Sequence, residues 1–170
     1  MHPEVLTESA AALFPSLSEF ADFYLAGGTA LALQIGHRIS VDFDLFSDDD
    51  IERTLLGKVR RVFAAADIEP LVNNSDELTL LVNGVKTTFL RYPFLPRDRL
   101  IAYQKMALLS VHEIAATKAY TIGRRGSYKD YVDLYFVIKE EYATLADITD
   151  GAEQKFGADF NSRLFLEQLI

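Results

Sequence analysis

The chain has 170 residues, 49% hydrophobic and 25% charged, with a net charge of −8 and a pI near 4.8. That composition suits one soluble globular domain and excludes a disordered chain. The absence of cysteine excludes disulfides, thiolate zinc and cysteine nucleophiles. No apolar run reaches the roughly 18 residues of a membrane span, and the acid excess argues against a general nucleic-acid coat.

The first dozen or so residues, "MHPEVLTESAAALF", read as a helix and lack the basic start and apolar stretch of a secretory leader. The expected location is therefore cytoplasmic. "DFYLAG" reads as a short buried strand ending at Gly27-Gly28, and "TALALQIG" as a helix that stops at Gly36. "SVDFDLFS" alternates as a strand does, with Val41, Phe43 and Leu45 on one face and Asp42, Asp44 and Phe46 on the other. Ser47 then stands as N-cap of a helix through "IERTLLGKVRRVFAAA", with Ile51, Leu55, Val59, Val62 and Phe63 as its buried stripe. "IEPLVNN", "ELTLLVNGV" and "VKTTFLRYPF" follow as strands, and Asn83-Gly84 signals a type I′ hairpin between the last two. The remainder reads as helices at about 111–123, 127–141 and from about 144 onward. The class is α/β or α+β: residues 1–110 form a core with a mixed sheet, and 111–170 form a helical part packed on it as a single compact unit.

Two aspartates one residue apart on a strand point the same way, roughly 6.6 Å apart along the chain. They suit a hard cation such as magnesium, which takes carboxylate oxygens and completes its shell with water and substrate phosphates. Gly27 and Gly28 let a phosphate approach the N–H groups that open the next helix, and Thr29 offers a hydroxyl. The structural alternatives are ordinary: glycine pairs are common at strand–helix turns, and D-x-D pairs mostly face solvent. The chain order strand–GG–helix–strand–DxD is more specific than either part.

The stretch "GGTALALQIGHRISVDFDLF" resembles the signature of the AbiEii/AbiGii toxin-type nucleotidyltransferases, within the DNA-polymerase-β-like superfamily. "VKTTFLRYPF" and "EIAATKAYTIGRRGSYKDYVDLYFVI" resemble that family's intervening strand and downstream Lys, Arg-Gly and Lys-Asp-x-x-Asp-Leu segment, so the resemblance spans about residues 23–140. It implies a nucleotidyltransferase fold, with Gly27, Gly28 and Thr29 at the nucleotide and Asp42 and Asp44 on magnesium (or manganese). Lys118 is implied at the triphosphate, and Asp130 as the family's late acidic position. It further implies an NTP substrate, RNA as an acceptor and an antitoxin protein as partner. Two departures stand out. The superfamily often places a third carboxylate on a neighbouring strand, where this chain has Thr87 and Thr88, and longer members have a larger C-terminal helical region.

Read without the family, Lys118 lies in line with the apolar stripe Val111, Ile114, Ala115 and Ile122, so it either snorkels or meets a negative group. "SYKD" is a capping pattern in which Asp130 reaches back to Ser127. Asp133 shares a face with Asp130 and Val137 and could face the cleft or bond Arg124 or Arg125. Arg38 could contact phosphate or pair with Asp44. Lys118, Arg124, Arg125 and Lys129 put four of the 17 basic residues within twelve positions. Tyr128, Tyr131 and Tyr135 recur at helical spacing and read as packing. Besides the metal-dependent nucleotidyltransferase, two readings remain: a non-catalytic nucleotide- or partner-binding relative, and a small-molecule (antibiotic-type) nucleotidyltransferase.

Overall fold

The alternating segment that carries the aspartates lies at the middle of a seven-stranded mixed sheet. The computed structural model describes residues 1–170. Its strands are β1 (Tyr24–Ala26), β2 (Phe43–Ser47), β3 (Ile68–Asn73), β4 (Glu77–Val82), β5 (Val85–Arg91), β6 (Ile101–Tyr103) and β7 (Met106–Leu108), in the order β3-β4-β5-β2-β1-β7-β6. β2 runs antiparallel to β1 and parallel to β5. The chain divides into two compact units, Met1–Leu95 with Leu100–Leu108, and Pro96–Arg99 with Leu109–Ile170. No helix is long and apolar enough to cross a membrane.

In the first unit the sheet has two chemically distinct faces. Phe43, Leu45, Leu78, Leu80 and Phe89 are buried on one of them. Phe14, Phe20 and Phe63 cover that face, with Phe14 6.1 Å from Phe43 and Phe20 4.9 Å from Phe89. Residues of the opposite phase, Asp42, Asp44, Thr79 and Thr88 among them, form the other face, as the two-residue period of a strand requires. Helix α2 (Gly27–Ile35) is apolar nearly all round and buried, and Gly36 closes it in the left-handed conformation at φ +71°. Asn83 and Gly84 have φ of +48° and +78°, both positive as a type I′ turn demands.

Three sequence expectations need correction. The N-terminal segment is not one helix. Helix α1 (Glu8–Leu13) stands between 3₁₀ turns at Pro3–Val5 and Phe14–Glu19, each with a proline in its first positions. Ser47 is not an N-cap: it belongs to β2, opposite Arg91, and its carbonyl accepts from Tyr92 N at 2.6 Å. Helix α3 is therefore shorter, Leu55–Val62, and opens at Thr54 without a side-chain cap. The hairpin β6–β7 was missed because its turn uses Gln104 and Lys105 at positive φ, with no glycine to signal it.

The second unit holds α4 (Val111–Arg125), α5 (Tyr128–Lys139), α6 (Leu145–Phe156) and α7 (Ser162–Glu167), with α4 packed against the other three. Ser110 caps α4, and Ser127–Asp130 and Thr144–Asp147 form capping boxes on α5 and α6. The segment Pro96–Arg99 is tied to these helices. Arg97 N donates to Glu113 Oε1 at 3.2 Å, and Ser110 Oγ donates to Asp98 at 3.0 Å. Glu113 Oε2 pairs with Lys155 Nζ, both side chains buried. Removing one member of such a pair typically costs about 3–5 kcal/mol, whereas apolar replacement of both costs far less. Glu113→Gln should therefore lower stability by about 3 kcal/mol in chemical denaturation, and Glu113→Leu/Lys155→Met should recover much of it.

Candidate functional site

The candidate site of the first unit is built where β1 turns into α2 beside β2. Ala26 pairs with Asp44 across the antiparallel ladder, so the end of β1 and the second aspartate lie side by side. Gly27 opens α2 at φ +64°, and a Cβ placed there would collide with Asp44 Oδ2 and stand 3.1 Å from its carboxyl carbon. Asp44 thus lies against the first residue of α2, whose N-cap Ala26 supplies no side-chain hydrogen bond. A carboxylate at that position is favoured by the positive end of the helix dipole. Glycine is required at position 27 twice over, by its backbone angle and by this contact.

Asp42 is set by a different device. The buried Thr29 hydroxyl donates to the Asp42 carbonyl and lies 2.7 Å from Ser40 Oγ. A hydroxyl has one proton, so Ser40 donates to Thr29 in this chain of bonds. Ser40 N donates to Val5 O at 2.9 Å, and Arg38 Nη1 donates to the Ile39 carbonyl at 3.1 Å and to Ser40 Oγ at 3.4 Å. Thr29, expected to present its hydroxyl to phosphate, gives its proton to the loop that delivers Asp42. Ser40 is the residue that sequence reasoning missed here, because its partner is eleven positions away.

Asp42 and Asp44 are both half-buried. Their carboxylates are hard oxygen donors, and no group of three or more His, Cys, Asp or Glu side chains joins them. Two carboxylates fit magnesium or manganese, which complete their shells with water and phosphate oxygens, and do not fit an all-protein cage. On β5, directly beside Asp44, stands Thr88.

The second unit carries the other predicted residues as a closed cluster. Lys118 Nζ lies 2.8 Å from Asp130 Oδ1 and 2.7 Å from Asp133 Oδ2, with Asp133 fully buried. Lys118 does not snorkel. It is held by two carboxylates that approach from α5. Asp130 does two jobs, since its Oδ2 accepts from Ser127 N and Oγ at 2.9 Å each. Burial pushes the Asp130 carboxyl up, but Lys118 and the Ser127 hydrogen bonds outweigh it and hold the group below its ordinary value of 3.8. Asp133, on the same face as Asp130, pairs with Lys118. The Lys-Asp-x-x-Asp spacing was the signal, because residues three apart share a helix face. The tyrosines are not all packing residues: Tyr128 is 84% and Tyr135 59% exposed. Lys139 lies over Tyr135 at 5.7 Å, and Arg124 over Tyr120 at 4.2 Å.

A family model described as "Nucleotidyl transferase AbiEii toxin, Type IV TA system" matches residues 11–100. The uncharacterized protein aq_aa25 of Aquifex aeolicus (strain VF5) is 33% identical over 143 residues, 83% of this chain and 69% of that one. Among solved structures, JHP933 from Helicobacter pylori superposes with a TM-score of 0.66 at 19% identity, over 96% of this chain and 90% of that one. The Megavirus polyadenylate synthase aligns with a TM-score of 0.55 at 12% identity, over 82% of this chain and 30% of that one. Both likenesses are of fold.

Gly27→Ala should displace Asp44 and lower the melting temperature, as read by differential scanning calorimetry. For Asp130 the sign follows from its lowered value. The stability it contributes is present above 3.8 and is lost as pH falls through the folded value. Thermal melts of wild type and Asp130→Asn should therefore differ most near neutrality and converge below pH 3.8.

Proposed function

The chain belongs to the AbiEii family of nucleotidyltransferases, and from that premise we propose that it transfers a nucleotide from an NTP to a hydroxyl of RNA. The carrying observation is the placement of Asp44 against the opening residue of α2, with Asp42 delivered to the same face. Asp42 and Asp44 hold magnesium or manganese, which when bound neutralises the triphosphate and the departing pyrophosphate. The N–H groups of Gly27 and Gly28 receive phosphate oxygens at the positive end of α2. Thr29 and Ser40 keep the Asp42 loop in register, and Arg38, at the same loop, adds positive charge for phosphate. The acceptor oxygen attacks the α-phosphorus, a new phosphodiester forms, and pyrophosphate leaves with the electrons of the broken bond. Catalysis of this kind is mainly positioning and charge neutralisation.

Lys118 and Asp130, which the resemblance assigns to the triphosphate and to the late acidic position, pair with each other in the second unit, with the buried Asp133 fixing the lysine. RNA as acceptor is supported by α4 and α5, where exposed Tyr128 and Tyr135 alternate with Arg124, Arg125, Lys129 and Lys139. Aromatic faces for bases among cations for phosphates suit a single strand. A growth-arresting role, an antitoxin partner and a cytoplasmic site of action belong to the same proposal, supported by the description of the family as a toxin of a toxin–antitoxin system. One observation favours the non-catalytic alternative: Thr88 provides no carboxylate beside Asp44.

Asp42→Asn/Asp44→Asn should fold normally and lose Mg²⁺-dependent NTP affinity in calorimetry, together with transfer of labelled NTP to total RNA. Binding unchanged in the double variant would sink the site. Tight Mg²⁺–NTP binding by the wild type, with no transfer to any acceptor tried, RNA included, would establish the non-catalytic reading, and transfer to an aminoglycoside would establish the antibiotic-type one.

A further inference from the structure

The face of the sheet that carries the two aspartates also carries a lysine. Across the parallel strands β2 and β5, Phe43 pairs with Thr87 and Asp44 with Thr88. Asp42 and Lys86 each precede the first of these pairs by one residue. Lys86 therefore shares the phase of Thr88 and stands near the start of β5, at the end where Asp42 enters β2. Asp42 and Asp44 are half-buried, whereas Lys86 is exposed, and no carboxylate pairs with it.

Other cations have partners of their own. Arg91, further along β5 and in the opposite phase, pairs with Asp50 and Asp76, and Lys58 lies over the ring of Phe20 on the apolar side. In the second unit Lys118 is held between Asp130 and Asp133. An exposed lysine often protects the edge of a sheet from pairing with another chain. That role does not apply to Lys86, because β5 is an interior strand with β4 on one side and β2 on the other. Lysine is also disfavoured in strands, so its place here asks for another reason.

Charge supplies that reason. Two aspartates repel a triphosphate except through a cation held between them. A carboxylate in the place of Thr88 would add to the repulsion and call for a further cation. Thr88 is neutral instead, and Thr79 Oγ1 donates to its hydroxyl at 3.2 Å and to Glu77 Oε1 at 2.5 Å. A fixed ammonium two residues before it offsets the repulsion directly. We propose that Lys86 contacts the phosphate chain of the bound NTP and sets much of its affinity. Its ammonium donates hydrogen bonds to phosphate oxygens, and its flexible four-carbon stem lets an exposed residue turn toward them. On this face a lysine and a hydroxyl take the place of a third carboxylate and the cation it would hold.

The inference rests on the proposed NTP site, and its test separates the two. Mg²⁺–NTP affinity is measured by titration calorimetry, with inorganic triphosphate as competitor and the melting temperature recorded for every variant. Lys86→Met keeps the stem and removes the charge, so NTP affinity should fall about tenfold while the melting temperature holds. Inorganic triphosphate should weaken by the same factor, because the contact is to phosphate. Lys86→Arg, which restores the charge, should recover most of the affinity, and the deficit of Lys86→Met should shrink as ionic strength rises. NTP affinity that is unchanged in Lys86→Met, though lost in Asp42→Asn/Asp44→Asn, overturns the role of the lysine and leaves the site standing. A loss that only follows a fall in melting temperature, or that leaves competition by inorganic triphosphate unaltered, overturns it as well. NTP binding that the double aspartate variant does not change overturns the site and the proposal with it.

Discussion

A carboxylate laid on the first residue of a helix leaves no space for a side chain there, and much of the first unit is arranged around that contact. Gly27 supplies the space, and its positive φ lets the chain turn from β1 into α2 within one residue. The pairing of Ala26 with Asp44 fixes the register of β2 on β1, and a slip by one residue would put Phe43 in place of the carboxylate. The same register buries Phe43 and Leu45 against the aromatic cluster on the other face. Site geometry and core packing therefore stand or fall together, so hydrophobic burial helps to hold a like-charged pair in place.

The second unit solves a different electrostatic problem. A lysine on the inward stripe of α4 would be costly to bury alone, and α5 answers it with two carboxylates three residues apart. One of these also caps α5, so the helix start, the lysine and the acid are coupled through a single side chain. Asp130 is therefore a residue whose loss unpairs the cap of α5 and the buried lysine together. Its acid sensitivity gives the structural share a separate signature.

Membership of the AbiEii family places the chain among nucleotidyltransferases, and its fold is shared with a polyadenylate synthase. On the strand beside Asp44, where the resemblance leads to the expectation of a carboxylate, this chain carries Thr88.

What the sequence by itself determined is local. The two-residue period put Asp42 and Asp44 on one face, Asn83-Gly84 specified a type I′ turn, Gly36 closed α2, and Ser127–Asp130 made a capping box. Each depends on residues a few positions apart, whose geometry the backbone sets. Only the tertiary structure decided that Asp44 meets Gly27, that Asp133 meets Lys118, that Thr29 turns its hydroxyl to Asp42, and that Glu77 reaches Thr88 through Thr79. It also shortened α3, because pairing with Arg91 drew Ser47 into β2, and it formed the β6–β7 hairpin on a turn without glycine. These outcomes join residues across strand order and helix docking, which long-range burial selects and no short pattern of residues encodes.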